Sequence, residues 1–216
     1  MNSVDTHDPT VSYFSEKLRT KIFSLEYSLS PEKKFPYATN EALTAINWLC
    51  ERGVNINNIS LCGDSAGAHL AASVTHTIAN ENRQNVHSQF LIYPMCDPHC
   101  KSNSIELFKE GYLLTKKAME WFWDKFRNSL ADNDMNTFNL LLLEPEKKIP
   151  KTIIVTAGFD PLLDEAEKYA FLLHKNGTYV KQLHYPSLFH GFANMTRLKS
   201  AKKAVDDFLL EYKEIL

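Results

Sequence analysis

The chain has 216 residues, 44% of them hydrophobic and 23% charged, enough for one good core and short for a second, so a single domain over residues 1–216 is expected. A net charge of −2 with scattered Lys and Arg argues against a phosphate-tracking surface or a basic membrane anchor, which removes nucleic acid from the expected partners. The start is polar and acidic where a secretory signal would be basic and then apolar, and no apolar run reaches spanning length, so a cytoplasmic protein without a membrane span is expected.

Residues 1–18 read as a polar lead followed by a helix with Val11, Phe14 and Leu18 on one face. Residues 21–27 read as a short strand, and residues 29–36 as a proline-punctuated loop. Asn40 or Thr39 can cap a helix over 41–52 whose apolar face is Ala42, Ile46, Leu49 and Cys50, with Gly53 ending it.

The run Ile59-Ser60-Leu61-Cys62-Gly63-Asp64-Ser65-Ala66-Gly67-Ala68 then reads as strand, tight turn and helix, the helix continuing to about Ala79. Residues 90–94 form a further buried strand stopped by Pro94. Residues 97–148 break the rhythm of strand and helix as an insertion. Within them Thr115 can cap a helix whose stripe Met119, Phe122, Trp123 and Phe126 is ordinary core packing or faces a substrate.

Regular order resumes with a strand at 152–156, a loop at 157–161 and a helix over 165–174 capped by Asn176 and Gly177. A strand at 179–185 and a last helix over about 200–215 follow. Strands alternating with helices of this length predict an α/β fold with a mostly parallel sheet and flanking helices. Of the cysteines, Cys50, Cys62, Cys96 and Cys100, two fall in apparent cores, which suits reduced thiols; the spacing from Cys96 to Cys100 matches no familiar zinc pattern.

Gly63-Asp64-Ser65-Ala66-Gly67 fits the G-x-S-x-G nucleophile elbow, where the serine takes a strained conformation and its hydroxyl stands in the open at a helix N-terminus. The competing reading is a plain strand-to-helix connection. The N–H of Ala66 would donate to an oxyanion there. Asp160 and His190 fall in loops after later strands, at the sheet rim where functional residues gather. A serine nucleophile needs an imidazole to take its proton and a carboxylate to hold that imidazole, and the order Ser, Asp, His is that of the α/β-hydrolases. Asp160 could instead cap a turn, with Asp164 the runner-up for its role, and His190 could be a packed loop histidine. His69 and His76 read as packing residues, because a base on the elbow helix would point away from the hydroxyl. Asp64 reads as a hydrogen-bonding residue of the loop, and Gly191 as a residue squeezed against the site.

Taken together, Tyr27-Ser28-Leu29-Ser30-Pro31-Glu32 with Phe35-Pro36, the Gly63–Gly67 run, Asp160-Pro161-Leu162-Leu163-Asp164-Glu165 and His190-Gly191-Phe192 resemble the hormone-sensitive-lipase-like family of α/β-hydrolases, which contains bacterial carboxylesterases and acetyl esterases. The resemblance spans nearly the whole chain. It implies Ser65 as nucleophile, Asp160 as orienting acid and His190 as base, with residues 97–130 as a helical cap over an acyl pocket. The implied activity is cleavage of small-molecule carboxylic esters with small to medium apolar acyl groups, through an acyl-enzyme, with no metal or organic cofactor. Ser28 stands where the family usually has arginine.

The family's His-Gly-Gly-Gly oxyanion loop should lie just upstream of residue 3, and no His-Gly or Gly-Gly pair occurs in these 216 residues. The resemblance therefore implies an N-terminally truncated form of the fold without its first three strands, in which Met1 is internal to a longer reading frame. Residues 21–27 and 60–63, equivalent to the fourth and fifth strands, would then pair directly or leave a gap. Impaired esterase activity is expected, the alternative being a catalytically silent remnant or a ligand-binding module on the same fold.

Overall fold

A computed structural model describes residues 3–81, 83–144 and 147–216. Met1 and Asn2 of the polar lead, and residues 145 and 146 of the insertion, lie outside the described residues.

Four parallel strands, in the spatial order β1-β2-β3-β4, form the sheet: β1 (Ser60–Asp64), β2 (Ser88–Ile92), β3 (Lys151–Phe159) and β4 (Val180–Phe189). Each connection between neighbouring strands passes the same way, as parallel crossovers do. One face carries α3 (Ala66–Asn80) and α6 (Leu163–Lys175); Ala68, Ala72, Ala166 and Tyr169 pack there on Leu91 and Ile154. The alternate side chains Phe90, Ile92, Ile153 and Val155 point to the opposite face, as the two-residue period of a strand requires. That face is closed by α1 (Val4–Leu18), through Phe14 and Leu18, and by α7 (Lys199–Lys213), through Val205, Phe208 and Tyr212. The two helices are tied at their surface, where Tyr13 donates to Asp206 and Lys202 reaches the same carboxylate at 2.8 Å.

The helix α2 (Tyr37–Glu51) packs Ile46 against Leu70, Val74 and Ile78 of α3, so its apolar face is the expected one. In the 97–148 segment, α4 (Asn103–Leu107) and α5 (Lys116–Phe126) surround a small aromatic core. Thr115 caps α5 as expected, its hydroxyl accepting from the N–H of Ala118. The stripe is core: Met119 and Trp123 are buried, with Phe122 and Phe126 packed beside them.

Several expectations are corrected. The first helix begins at Val4, inside the expected polar lead, because Ser3 accepts from the N–H of Thr6 while the Thr6 hydroxyl takes the N–H of Ser3. Residues 21–27 form no strand. Their alternating pattern is strand-like, but β1 pairs only with β2, and Ile22, Phe23 and Leu25 are exposed; a strand without a neighbour has no ladder to hold it. The two segments thus do not pair directly. Helix α2 starts at Tyr37, ahead of Asn40 and Thr39, with Pro36 as its capping residue. Strands β3 and β4 run to Phe159 and Phe189, so much of the two expected loops is sheet. A register shift between Ala157 and Phe159 accommodates this, and Gly158 is required there: a Cβ would lie 2.2 Å from the carbonyl oxygen of Pro186.

Two buried histidines on α3 give the fold a pH dependence. His69 meets the carbonyl of Phe138 at 2.8 Å, and His76 lies between the carbonyl of Asn136 and the Tyr169 hydroxyl. Both therefore pack, as the sequence implies. Burial pushes each pKa down from 6.5 to about 4. The unfolded chain binds these protons first, so the stabilisation is complete above 6.5 and lost as pH falls towards 4. At full titration each histidine removes about 3 kcal/mol, a depression of two to three pH units at about 1.4 kcal/mol per unit. Urea midpoints are expected to fall steeply across this window, and less steeply in His76→Gln.

Candidate active site

The site lies beyond the carboxyl ends of β1, β3 and β4. Ser65 follows β1 directly and begins the turn into α3 with φ 54° and ψ −115°. Backbone bonds hold that strained shape: its N–H donates to the carbonyl of Ile92 at 2.9 Å, and its own carbonyl accepts from His69 at 3.0 Å. Gly63 is needed because a Cβ would lie 2.3 Å from the carbonyl carbon of Gly67. Gly67 itself has open space around that position, so only one of the two glycines is demanded by close approach. Ala66 is the first residue of α3, where backbone N–H groups have no partner within the helix.

Register brings the other two residues together. Phe159 of β3 pairs with Phe189 of β4, so the next residues, Asp160 and His190, leave the sheet side by side. The carboxylate of Asp160 meets His190 Nδ1 at 2.8 Å, and His190 Nε2 meets the Ser65 hydroxyl at 2.9 Å. Asp160 is 1% exposed, and its other oxygen accepts from the N–H of Leu162 at 2.9 Å. Asp164, the runner-up, is turned elsewhere and accepts from the N–H of Ser104 at 2.8 Å. Gly191 has no backbone pressed on it. Its φ of 85° is what calls for glycine, with only the Leu113 side chain near.

Further residues complete the surroundings, and of these Tyr93 carries no mark in the sequence. Tyr93, immediately after β2, lies with its ring 4.6 Å from that of His190. Asp64 accepts from the Asn194 amide at 2.9 Å and faces His7 Nε2 at 3.2 Å, so it does bond the loop, and to more than the loop. Glu165 is buried and accepts from the N–H groups of Cys96 and Asp97. Burial raises its pKa well above the carboxylate range despite those bonds. Beside the site, Gly111, Tyr112, Leu113, Phe159 and Phe189 line an apolar groove of about 460 Å³. Tyr112 is stacked on Phe159 with ring centroids 5.4 Å apart. No helix among the described residues is long and apolar enough to cross a membrane.

Comparison with known proteins gives a consistent picture. A family profile described as the alpha/beta hydrolase fold matches residues 1–194. The chain is 33% identical over 214 residues to the carboxylic ester hydrolase LipN of Mycobacterium tuberculosis, covering 94% of this chain and 57% of that one. It is 28% identical over 200 residues to an ethyl acetate hydrolase of Pseudomonas putida, covering 90% of this chain and 63% of that one. It thus spans less than two thirds of the length of these curated relatives. Among solved structures, an esterase of Pyrobaculum calidifontis superposes with a TM-score of 0.90 at 29% identity, over 99% of this chain and 72% of that one. A thermostable esterase of Pseudomonas putida superposes with a TM-score of 0.93 at 26% identity, over 100% of this chain and 70% of that one.

Proposed function

The chain belongs to the alpha/beta hydrolase family, in its hormone-sensitive-lipase-like branch of carboxylesterases, and from that premise we propose that it cleaves small-molecule carboxylic esters with small to medium apolar acyl groups through an acyl-enzyme. The observation that carries the reading is the single hydrogen-bonded row from Asp160 through His190 to Ser65. In the proposed reaction the Ser65 Oγ attacks the ester carbonyl carbon while His190 Nε2 takes its proton, and Asp160 holds the resulting imidazolium. The tetrahedral oxyanion collapses, His190 returns the proton to the departing alcohol, and the acyl group stays on Ser65. Water activated by His190 then attacks the acyl carbon, releasing the acid and restoring the hydroxyl.

The N–H of Ala66 supplies one oxyanion donor in this scheme. The family assigns others to a His-Gly-Gly-Gly run that these 216 residues do not contain, and each missing donor costs about 2.7–4 kcal/mol of transition-state stabilisation. This polypeptide by itself is therefore proposed to turn over slowly, with residues 97–148 acting as a partial cap.

The test is hydrolysis of p-nitrophenyl acetate and butyrate by these 216 residues and by a version extended upstream. Slow turnover that rises on extension supports the reading. Brisk turnover from the short form overturns the proposed impairment. Silence from both, together with binding of an apolar ester, overturns the esterase in favour of a ligand-binding role.

A further inference from the structure

The carboxylate of Asp64, one residue before the nucleophile, is a junction between elements far apart in the chain. Its Oδ2 accepts from Asn194 Nδ2 at 2.9 Å and lies 3.5 Å from the Tyr93 hydroxyl. Its Oδ1 faces His7 Nε2 of α1 at 3.2 Å. Asn194 ends the short turn Phe192–Asn194 that follows His190 and Gly191, and its own Oδ1 accepts from the Thr10 hydroxyl of α1 at 2.8 Å. Tyr93, 1% exposed and at φ 38°, holds its ring against His190. The turn that follows His190 in the chain and the Tyr93 ring beside its imidazole are thus both tied to the same carboxylate. Ser65 of the elbow and His190 of the base loop are 125 residues apart in the chain, and the sheet does not pair β1 with β4. Besides the Ser65–His190 bond itself, the Asp64–Asn194 bond spans that gap.

We propose that Asp64, with Asn194, Tyr93 and His7, is a positioning device that sets His190 in register with Ser65, and that protonation of His7 tightens it. The proposal rests on the esterase reading for its catalytic readout only. Asp64 touches no reacting atom in this account and acts through the loop that carries the base.

Electrostatics supports the arrangement. Bonding to Asp64 raises the pKa of His7 above 6.5, against the opposing effect of partial burial. Burial opposes the charge on Asp64, yet the bond and charge of His7, the Asn194 amide and the charge of His190 hold its pKa below 3.8. Around His7 stand Asp64 on the elbow, Glu26, which accepts from the N–H of Val4 at 2.7 Å, and the half-buried Tyr27 near both acids; Asp5 and Asp8 lie on its own helix. His190 and Tyr93 meet Asp64 from the far side. The charged latch is complete below 6.5 and is lost as pH rises through the elevated value for His7.

Three variants test this: Asp64→Asn, Asn194→Ala and His7→Gln. In Asp64→Asn and Asn194→Ala, kcat on p-nitrophenyl butyrate is expected to fall about 10- to 100-fold with KM nearly unchanged, the cost of a displaced base. Amide exchange across residues 190–195 is expected to quicken in both. The imidazole of His7, followed by NMR, is expected to titrate near the ordinary 6.5 in Asp64→Asn. The wild type should lose kcat at alkaline pH as His7 deprotonates, whereas His7→Gln should sit at the lower level throughout. Unchanged kcat and unchanged exchange in Asn194→Ala and His7→Gln would overturn the proposal and leave Asp64 as an anchor for α1 alone. Should no form show Ser65-dependent turnover, the esterase reading falls, and the exchange and titration results still decide whether the latch orders the His190 loop. Should Asp64→Asn fail to fold, the other two variants carry both readouts.

Discussion

Ser65→Ala is expected to abolish ester turnover while leaving the fold intact, a loss on the order of 10⁶-fold in kcat where the serine and histidine act as one unit. Among the described residues the hydroxyl bonds to His190, and its removal leaves His190 held by Asp160 and by the packing of Tyr93. The turn is unaffected, because its bonds to Ile92 and His69 are made by backbone. Alanine keeps a Cβ and therefore keeps the strain of φ 54°. Ser65→Gly is expected to lose the same activity but to gain stability, since a residue of that backbone shape costs about 1–3 kcal/mol unless it is glycine. Paired kinetics and thermal unfolding of the two variants check both statements. Turnover surviving in Ser65→Ala would remove the nucleophile from the scheme, whatever the fold does.

Asp160→Asn is expected to cost about 10⁴-fold in kcat, with KM little changed. An amide of the same shape still accepts from Leu162 through one atom, but it presents an N–H or a weaker carbonyl to His190 Nδ1. The imidazole then loses both its fixed tautomer and the charge that steadies its protonated form. No neighbour replaces it: Asp164 is committed to Ser104, and Glu165 to Cys96 and Asp97. Steady-state kinetics of Asp160→Asn beside Asp164→Asn separate the candidates. A larger loss in the second variant would reverse the assignment of the acid.

Ser65, Asp160 and His190 could be grouped as candidates from sequence because each sits where a strand ends, and the strand ends of a parallel sheet share one rim. That reasoning places Ser65, Asp160 and His190 on one rim without any knowledge of strand register. It says nothing of Tyr93, His7 or Asn194, whose importance comes from side chains meeting across chain separations that no local pattern records. Asp5, Thr6 and His7 look like a solvated lead in sequence, whereas the Ser3–Thr6 capping box starts a helix through them. Residues 21–27 carry a strand's alternation, but pairing is a property of two segments, and periodicity reports only one. The reach of β3 and β4 past residues 156 and 185 is hidden by Gly158 and Pro186, which mark a loop in most settings. Here they are the two halves of one close backbone crossing.

The second face of the sheet is covered by α1 and α7, one from each end of the sequence. During synthesis, Phe90, Ile92, Ile153 and Val155 all leave the ribosome before the helix that dries them. Until residues 199–213 emerge, the nascent chain presents a half-covered apolar surface that suits a holding chaperone. Docking of α7 is therefore what completes the cover of this face.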